Sequence, residues 1–159
     1  MTRQFPNVAD RALALLLMAG GLLGVGLSAV MSARFLRMHW VYGVLFAAFL
    51  LLFAWTALAG FRLWRGEPRG WKSATILFAM QVPILTVPGL SYEYYTGLAL
   101  RLVGGHVDKA LTLSLGSNGN FYLDTRIHDW VYGINLFGLV ATVYLLTRRR
   151  HYSETSTAA

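Results

Sequence analysis

Ala12 to Ala33 contains no charged residue, and neither does His39 to Phe61 with histidine counted as neutral. An α-helix rises about 1.5 Å per residue, so either run, coiled as a helix, crosses the roughly 30 Å of hydrocarbon in a bilayer. Ser73 to Leu90 and Trp130 to Thr147 are two further charge-free runs, each near the lower limit of spanning length. The chain is 13% charged, about half the share in a soluble domain, and the deficit is concentrated in these four runs. The expectation is an all-α integral membrane protein forming a single membrane domain over 1–159. Its four transmembrane helices would lie at about 12–33, 39–61, 73–90 and 129–147.

The net charge of +7 is a statement about orientation. On this threading Arg3, Arg11, Arg62, Arg65, Arg69, Lys72, Arg148, Arg149 and Arg150 fall on one side, and Arg34, Arg37, Arg101, Lys109 and Arg126 on the other. The first set is larger and closer to the helix ends, which marks the cytoplasmic side. Both termini are therefore expected in the cytoplasm of a cell with an inner membrane, with 148–159 as a short polar, disordered tail. Residues 91–126 are expected outside. No separate basic domain exists, so the bilayer, and not nucleic acid, is the expected partner of these charges. Cysteine is absent, which removes disulfides, thiol catalysis, iron–sulfur ligation and cysteine-based zinc sites.

The first run is longer than the 7–15 apolar residues of a signal peptide and reads as a retained helix. It carries Gly20, Gly24, Ser28 and Ser32 at four-residue spacing, a stripe of small residues that lets helix backbones approach closely in lipid. The third run holds Gln81 between apolar neighbours and two prolines, Pro83 and Pro88. A helix there would bend at Pro83 and free the carbonyl of Ala79. Gln81 and Asn135 are the strongest intramembrane polar candidates, as interhelix hydrogen-bonding groups or as polar points on a pathway.

Between the third and fourth runs, apolar residues alternate with small or polar ones, the signature of strands. Strands are predicted at Leu98–Val103, Ala110–Leu115 and Asn120–Asp124, with turns at Gly104–Gly105 and Gly116–Gly119. Three strands make a small extracytoplasmic β-meander that cannot bury its own apolar face. Leu111, Leu113 and Leu115 must then cover the bundle's outer mouth, a second copy, or a partner.

One motif is written twice, "RMHWVYG" at Arg37–Gly43 and "RIHDWVYG" at Arg126–Gly133. Aligned on "WVYG", each copy opens the second helix of a hairpin, which predicts two duplicated helical hairpins related by an axis along the membrane normal. Trp40, Tyr42, Trp130 and Tyr132 would belong to an aromatic belt, Arg37 and Arg126 would meet lipid phosphates, and Gly43 and Gly133 would permit close helix approach. His39 and His128, at equal depth on parallel helices, are the candidate axial ligands of a haem b. The "HW" at His39–Trp40 resembles the opening helix of b-type cytochrome membrane anchors, over a handful of residues. That resemblance implies haem; the chain lacks the further intramembrane histidine of those anchors, and Asp129 rotates His128 by one position.

No nucleophile motif, phosphate loop or metal-ligand spacing is present. His128 and Asp129, adjacent on a helix, would point about 100° apart, and Asp129 and Asp124 are better used at the positive N-terminal end of the fourth helix. The sequence therefore predicts a non-catalytic subunit, scaffold or accessory factor that engages a membrane or periplasmic protein or forms a homo-oligomer. The alternatives are a haem electron-transfer protein and a small oligomeric transporter or channel.

Overall fold

Asn7 and Asp10 start the first helix. The Asn7 side-chain oxygen accepts the Asp10 backbone N–H at 2.8 Å, and an Asp10 carboxylate oxygen accepts the Asn7 N–H at 2.8 Å, a reciprocal cap that satisfies two otherwise unpaired donors. The structure, a computed structural model, describes residues 6–35, 40–105, 110–124 and 130–157. In chain order they form α1 (Val8–Phe35), α2 (Trp40–Trp64), α3 (Pro68–Met80), β1 (Pro83–Val87), β2 (Gly89–Gly105), β3 (Ala110–Asp124), β4 (Val131–Asn135) and α4 (Leu136–Thr157).

The helices α1 and α2 pack along each other through glycine. A side chain at Gly21 would strike the backbone of Ala57, one at Gly60 would come within 2.7 Å of the Ala14 carbonyl, and one at Gly24 would enter the ring of Phe53. Gly66, at φ 68°, ends α2 in the left-handed conformation glycine favours, and Pro68 opens α3 where its missing donor costs nothing. At the end of the molecule formed by the α2–α3 turn, Leu13 and Leu17 of α1, Leu63 of α2, Trp71 and Phe78 of α3 and Leu145 of α4 share one buried core.

That four-helix core does not extend through the molecule, and the expected all-α architecture with four membrane-spanning helices is overturned. Among the described residues only two helical segments, Val8–Ser32 and Phe46–Trp64, are long and apolar enough to cross a membrane. The third run leaves helix at Met80. Pro83 supplies no donor to continue it, and "PILTV" is rich in β-branched residues, so the chain becomes strand β1 in place of a kinked helix. The fourth run does the reverse. "VYGIN" is strand β4 and helix begins only at Leu136.

The four strands form one antiparallel sheet in the order β1-β4-β2-β3, with an additional pairing of β1 to β2. β1 pairs Leu85–Val87 with the start of β2 and Pro83–Thr86 with β4, and β4 pairs with Arg101–Gly105 at the end of β2. The sheet thus curls back on itself. β2 and β3 pair without interruption from Gly89↔Asp124 to Val103↔Ala110. The expected turn at Gly116–Gly119 is therefore interior strand, and the predicted Ala110–Leu115 and Asn120–Asp124 strands are one. Nor is the 148–159 tail irregular as far as it is described, since α4 runs to Thr157.

At the basic end, Asp10 is fully buried. It accepts a hydrogen bond from the Tyr144 hydroxyl at 2.8 Å and lies 3.6 Å from the Arg148 guanidinium. Burial, and next the hydrogen bond to Asp10, push the Tyr144 phenol above its ordinary range. This cluster ties α4 to the start of α1. Asp10→Ala removes a cap and the partner of both groups, and is expected to cost about 2–4 kcal/mol, read as a lowered denaturation midpoint of the purified protein.

Candidate functional site

β2 is longer than the strands beside it. On the side away from β3 it pairs with β1 near its start and with β4 near its end, leaving an interval around Thr96 to Leu100 that no strand among the described residues adjoins. Buried backbone donors there need partners, and two side chains provide them. The Gln81 side-chain oxygen accepts the Thr96 N–H at 3.3 Å while its amide nitrogen donates to the Thr96 hydroxyl at 3.0 Å. The Asn135 side-chain oxygen accepts the Leu100 N–H at 3.1 Å and the Gly138 N–H at 3.3 Å, the second bond capping α4. Both amides are essentially inaccessible to solvent. A further buried contact, Thr56 hydroxyl to Tyr94 hydroxyl at 2.7 Å, fixes β2 to α2.

Gly97 and Gly116 face each other across β2 and β3, at φ +81° and +135°. At about 3.3 Å per residue, Glu93 and Arg101 would lie roughly 26 Å apart on a straight strand. Instead they form an ion pair, with Arg101 also donating to Ser114 at 3.0 Å and Asn118 donating to Glu93 at 3.3 Å. The ribbon must fold sharply at the two glycines. α1 seats the fold, since Gly20 packs directly on the Gly97 backbone and the Ser117 hydroxyl donates to the Gly20 carbonyl. The Glu93–Arg101 pair is enclosed by the folded ribbon.

The opposite surface of the distal arm is apolar and exposed. Leu115, Leu113 and Leu111 face Leu98, Leu100 and Leu102 in register, and Leu102 faces Ile134 of β4. Leu111, Leu113 and Leu115 are 65%, 69% and 81% exposed, far above core values. The face continues through Ile134, Tyr132 and Trp130 at alternate positions of the β4 chain, all exposed. It then runs onto the outward side of α4 at Leu139, Val140 and Val143.

The structure redistributes the residues singled out by sequence. Gln81 and Asn135 converge on one strand, as hydrogen-bonding surrogates for a missing neighbour. In the small-residue stripe, Gly20 meets β2, Gly24 meets α2, Ser28 is buried, and the Ser32 hydroxyl donates to its own helix at Ala29. The two "WVYG" copies adopt different structures. Trp40, Tyr42 and Gly43 open α2, whereas Tyr132 and Gly133 lie in β4 and Trp130 just before it. The duplicated helical hairpin is therefore corrected to a local sequence likeness: the second copy is held as strand by its pairing with β1 and β2, whereas the first lies in the helix Trp40–Trp64. Arg37, Arg126, His39, His128 and Asp129 lie outside the described residues. Asn135 caps α4, and the backbone of Asp124 ends β3 opposite Gly89. Among the described residues no group of three His, Asp or Glu is placed to hold a metal ion.

Sequence reading missed the Asn7–Asp10 cap, for which the signal is a short polar pair three residues apart just before an apolar run. It also missed the enclosed Glu93–Arg101 pair, which depends on a fold at Gly97 that no local pattern announces. Compared with known proteins, the chain matches no family model, no curated protein and no solved structure.

Proposed function

We propose that this chain is a membrane-embedded, non-catalytic subunit or scaffold that binds a protein partner through the apolar outer face of the β2–β3–β4 sheet. The exposed leucines of β3 carry the reading. A sheet face of this kind, covered by no helix among the described residues, is a surface built to be buried. The enclosed polar groups support a structural use, since Glu93 is held by Arg101 and Asn118, and Gln81 and Asn135 are spent on backbone donors.

The membrane setting draws on two further features. The outward sides of α1 and α2 carry Leu22, Leu23, Leu27, Leu51 and Leu58, all exposed, as lipid-facing helices require. Arg11, Arg62, Arg65, Arg69, Lys72 and Arg148 gather at the end where α1 begins and α2 turns into α3. By the positive-inside rule this end is cytoplasmic, in an inner membrane.

A photo-crosslinking amino acid placed at Leu113, and separately at Ile134, tests the reading in intact cells. Discrete protein adducts are expected at both sites, and none at Gly26 of α1, whose neighbourhood is open. Lipid adducts alone at Leu113 and Ile134 would sink the scaffold reading.

A further inference from the structure

β3 is the last strand of the sheet, and among the described residues no strand pairs with its outer edge. One hydrogen bond fixes which backbone groups that edge presents. The Leu100 N–H donates to Asn135, away from β3, and the Leu102 carbonyl lies against Gly133 of β4, again away from β3. In an antiparallel pair, two facing residues either exchange both hydrogen bonds or exchange neither. The pairs Leu100↔Leu113 and Leu102↔Leu111 therefore exchange neither, and by alternation the same holds for Leu98↔Leu115. The N–H and C=O groups of Leu111, Leu113 and Leu115 all point to the free edge.

Natural sheets protect such an edge with charge, proline, a bulge or a cover. Ala110–Leu115, "ALTLSL", carries no charge and no proline, and it pairs with β2 without a bulge. Its depth sharpens the problem. Just beyond the fold, Ser117 bonds to Gly20 midway along α1, and Gly119 abuts the Phe49 ring of α2. If those helices cross a bilayer, the adjoining strand lies near hydrocarbon, where an unpaired sheet edge facing lipid does not occur.

We infer that the edge is a homodimer contact: β3 of one copy pairs antiparallel with β3 of a second copy, about a twofold axis through Leu113. This deepens the scaffold reading and rests on it. The sequence is self-complementary in that register alone. Leu113 meets Leu113, Leu111 meets Leu115, and Thr112 meets Ser114, so like faces like on both sides of the new sheet. Every outward donor of the three leucines meets an outward acceptor of the other copy. Centring the axis on Thr112 or Ser114 leaves one leucine of each copy without a leucine opposite. No charge in the segment repels a second copy.

The chain has no cysteine, so single cysteines report on this contact directly. The experiment is a scan of positions 110–115 in the full-length membrane protein, with a thiol-to-thiol crosslinker spanning about 5 Å, the Cβ separation of facing residues. Leu113→Cys is expected to give a crosslinked dimer by itself. Leu111→Cys and Leu115→Cys are each expected to stay uncrosslinked alone, their own copies being roughly 13 Å apart. Co-expressed with different tags, those two should form a mixed dimer. These exposed positions leave the fold intact, and an unchanged unfolding midpoint for each variant verifies it. Absence of a Leu113→Cys dimer, or self-crosslinking at Leu111→Cys as strong as at Leu113→Cys, overturns the inference. If the Leu113 photo-crosslinker then captures a different polypeptide, the dimer fails while the scaffold reading stands; if it captures only lipid, both fail.

Discussion

Asn135→Leu is expected to lower the stability of this protein by about 2–5 kcal/mol. The substitution keeps the branched four-atom outline, with bulkier methyl groups in place of the amide, and removes an acceptor shared by the Leu100 and Gly138 N–H groups. A buried donor left unpaired costs about 1–3 kcal/mol, and here two lose their partner together, one in β2 and one at the start of α4. Asn135→Asp separates the causes. It keeps the acceptor and restores the two bonds, but places a charge in a site almost closed to water, so it is also expected to destabilise. Asn135→Ser, with a shorter reach, should retain the cap on Gly138 and lose the bond to Leu100. Denaturant midpoints in one detergent rank the three. A leucine variant as stable as the parent would show that the amide does not complete the β2 edge.

The second large effect is expected at Gly20. Its position packs on the Gly97 backbone, where neither chain can retreat, because Gly97 itself sits at positive φ with the Leu16 carbonyl 2.9 Å from where its own Cβ would be. Gly20→Leu must push α1 away from the folded ribbon, at a cost of about 3 kcal/mol or more. Gly26→Leu is the control. Nothing lies within 4 Å of a Cβ there, and leucine is the better helix former, so this variant should match or slightly exceed the parent. Thermal unfolding of the two variants side by side gives the comparison. Equal losses at Gly20 and Gly26 would mean that α1 does not seat the ribbon.

Both predictions fall on residues that sequence picked out, yet for effects that sequence did not foresee. Gln81 and Asn135 were legible as buried polar residues, because an amide amid apolar neighbours must find hydrogen bonds. Their common partner was not legible. It is created by β2 outrunning β1 and β4, a fact of sheet register. The small residues of α1 were likewise visible as a packing stripe, but Gly20 packs on a strand where a second helix was expected.

What the sequence by itself determined is the course of α1 and α2. Their charge-free runs exceed what a strand or short core helix needs, and the Asn7–Asp10 cap, the glycines and the terminal arginines agree with them. The apolar alternation of "LALRLV" and "ALTLSL" likewise dictated strands with a leucine face. Only the tertiary structure decided the rest. Ser73–Leu90 and Trp130–Thr147 are apolar runs of ambiguous period, and hydropathy cannot tell helix from buried strand in so few residues. Pairing arbitrates: Pro83–Thr86 finds β4, Arg101–Gly105 finds β4 from the other side, and each run is left part helix and part strand. The fold at Gly97 and Gly116, the enclosed ion pair and the free edge of β3 all follow from that long-range pairing, whose partners stand tens of residues apart.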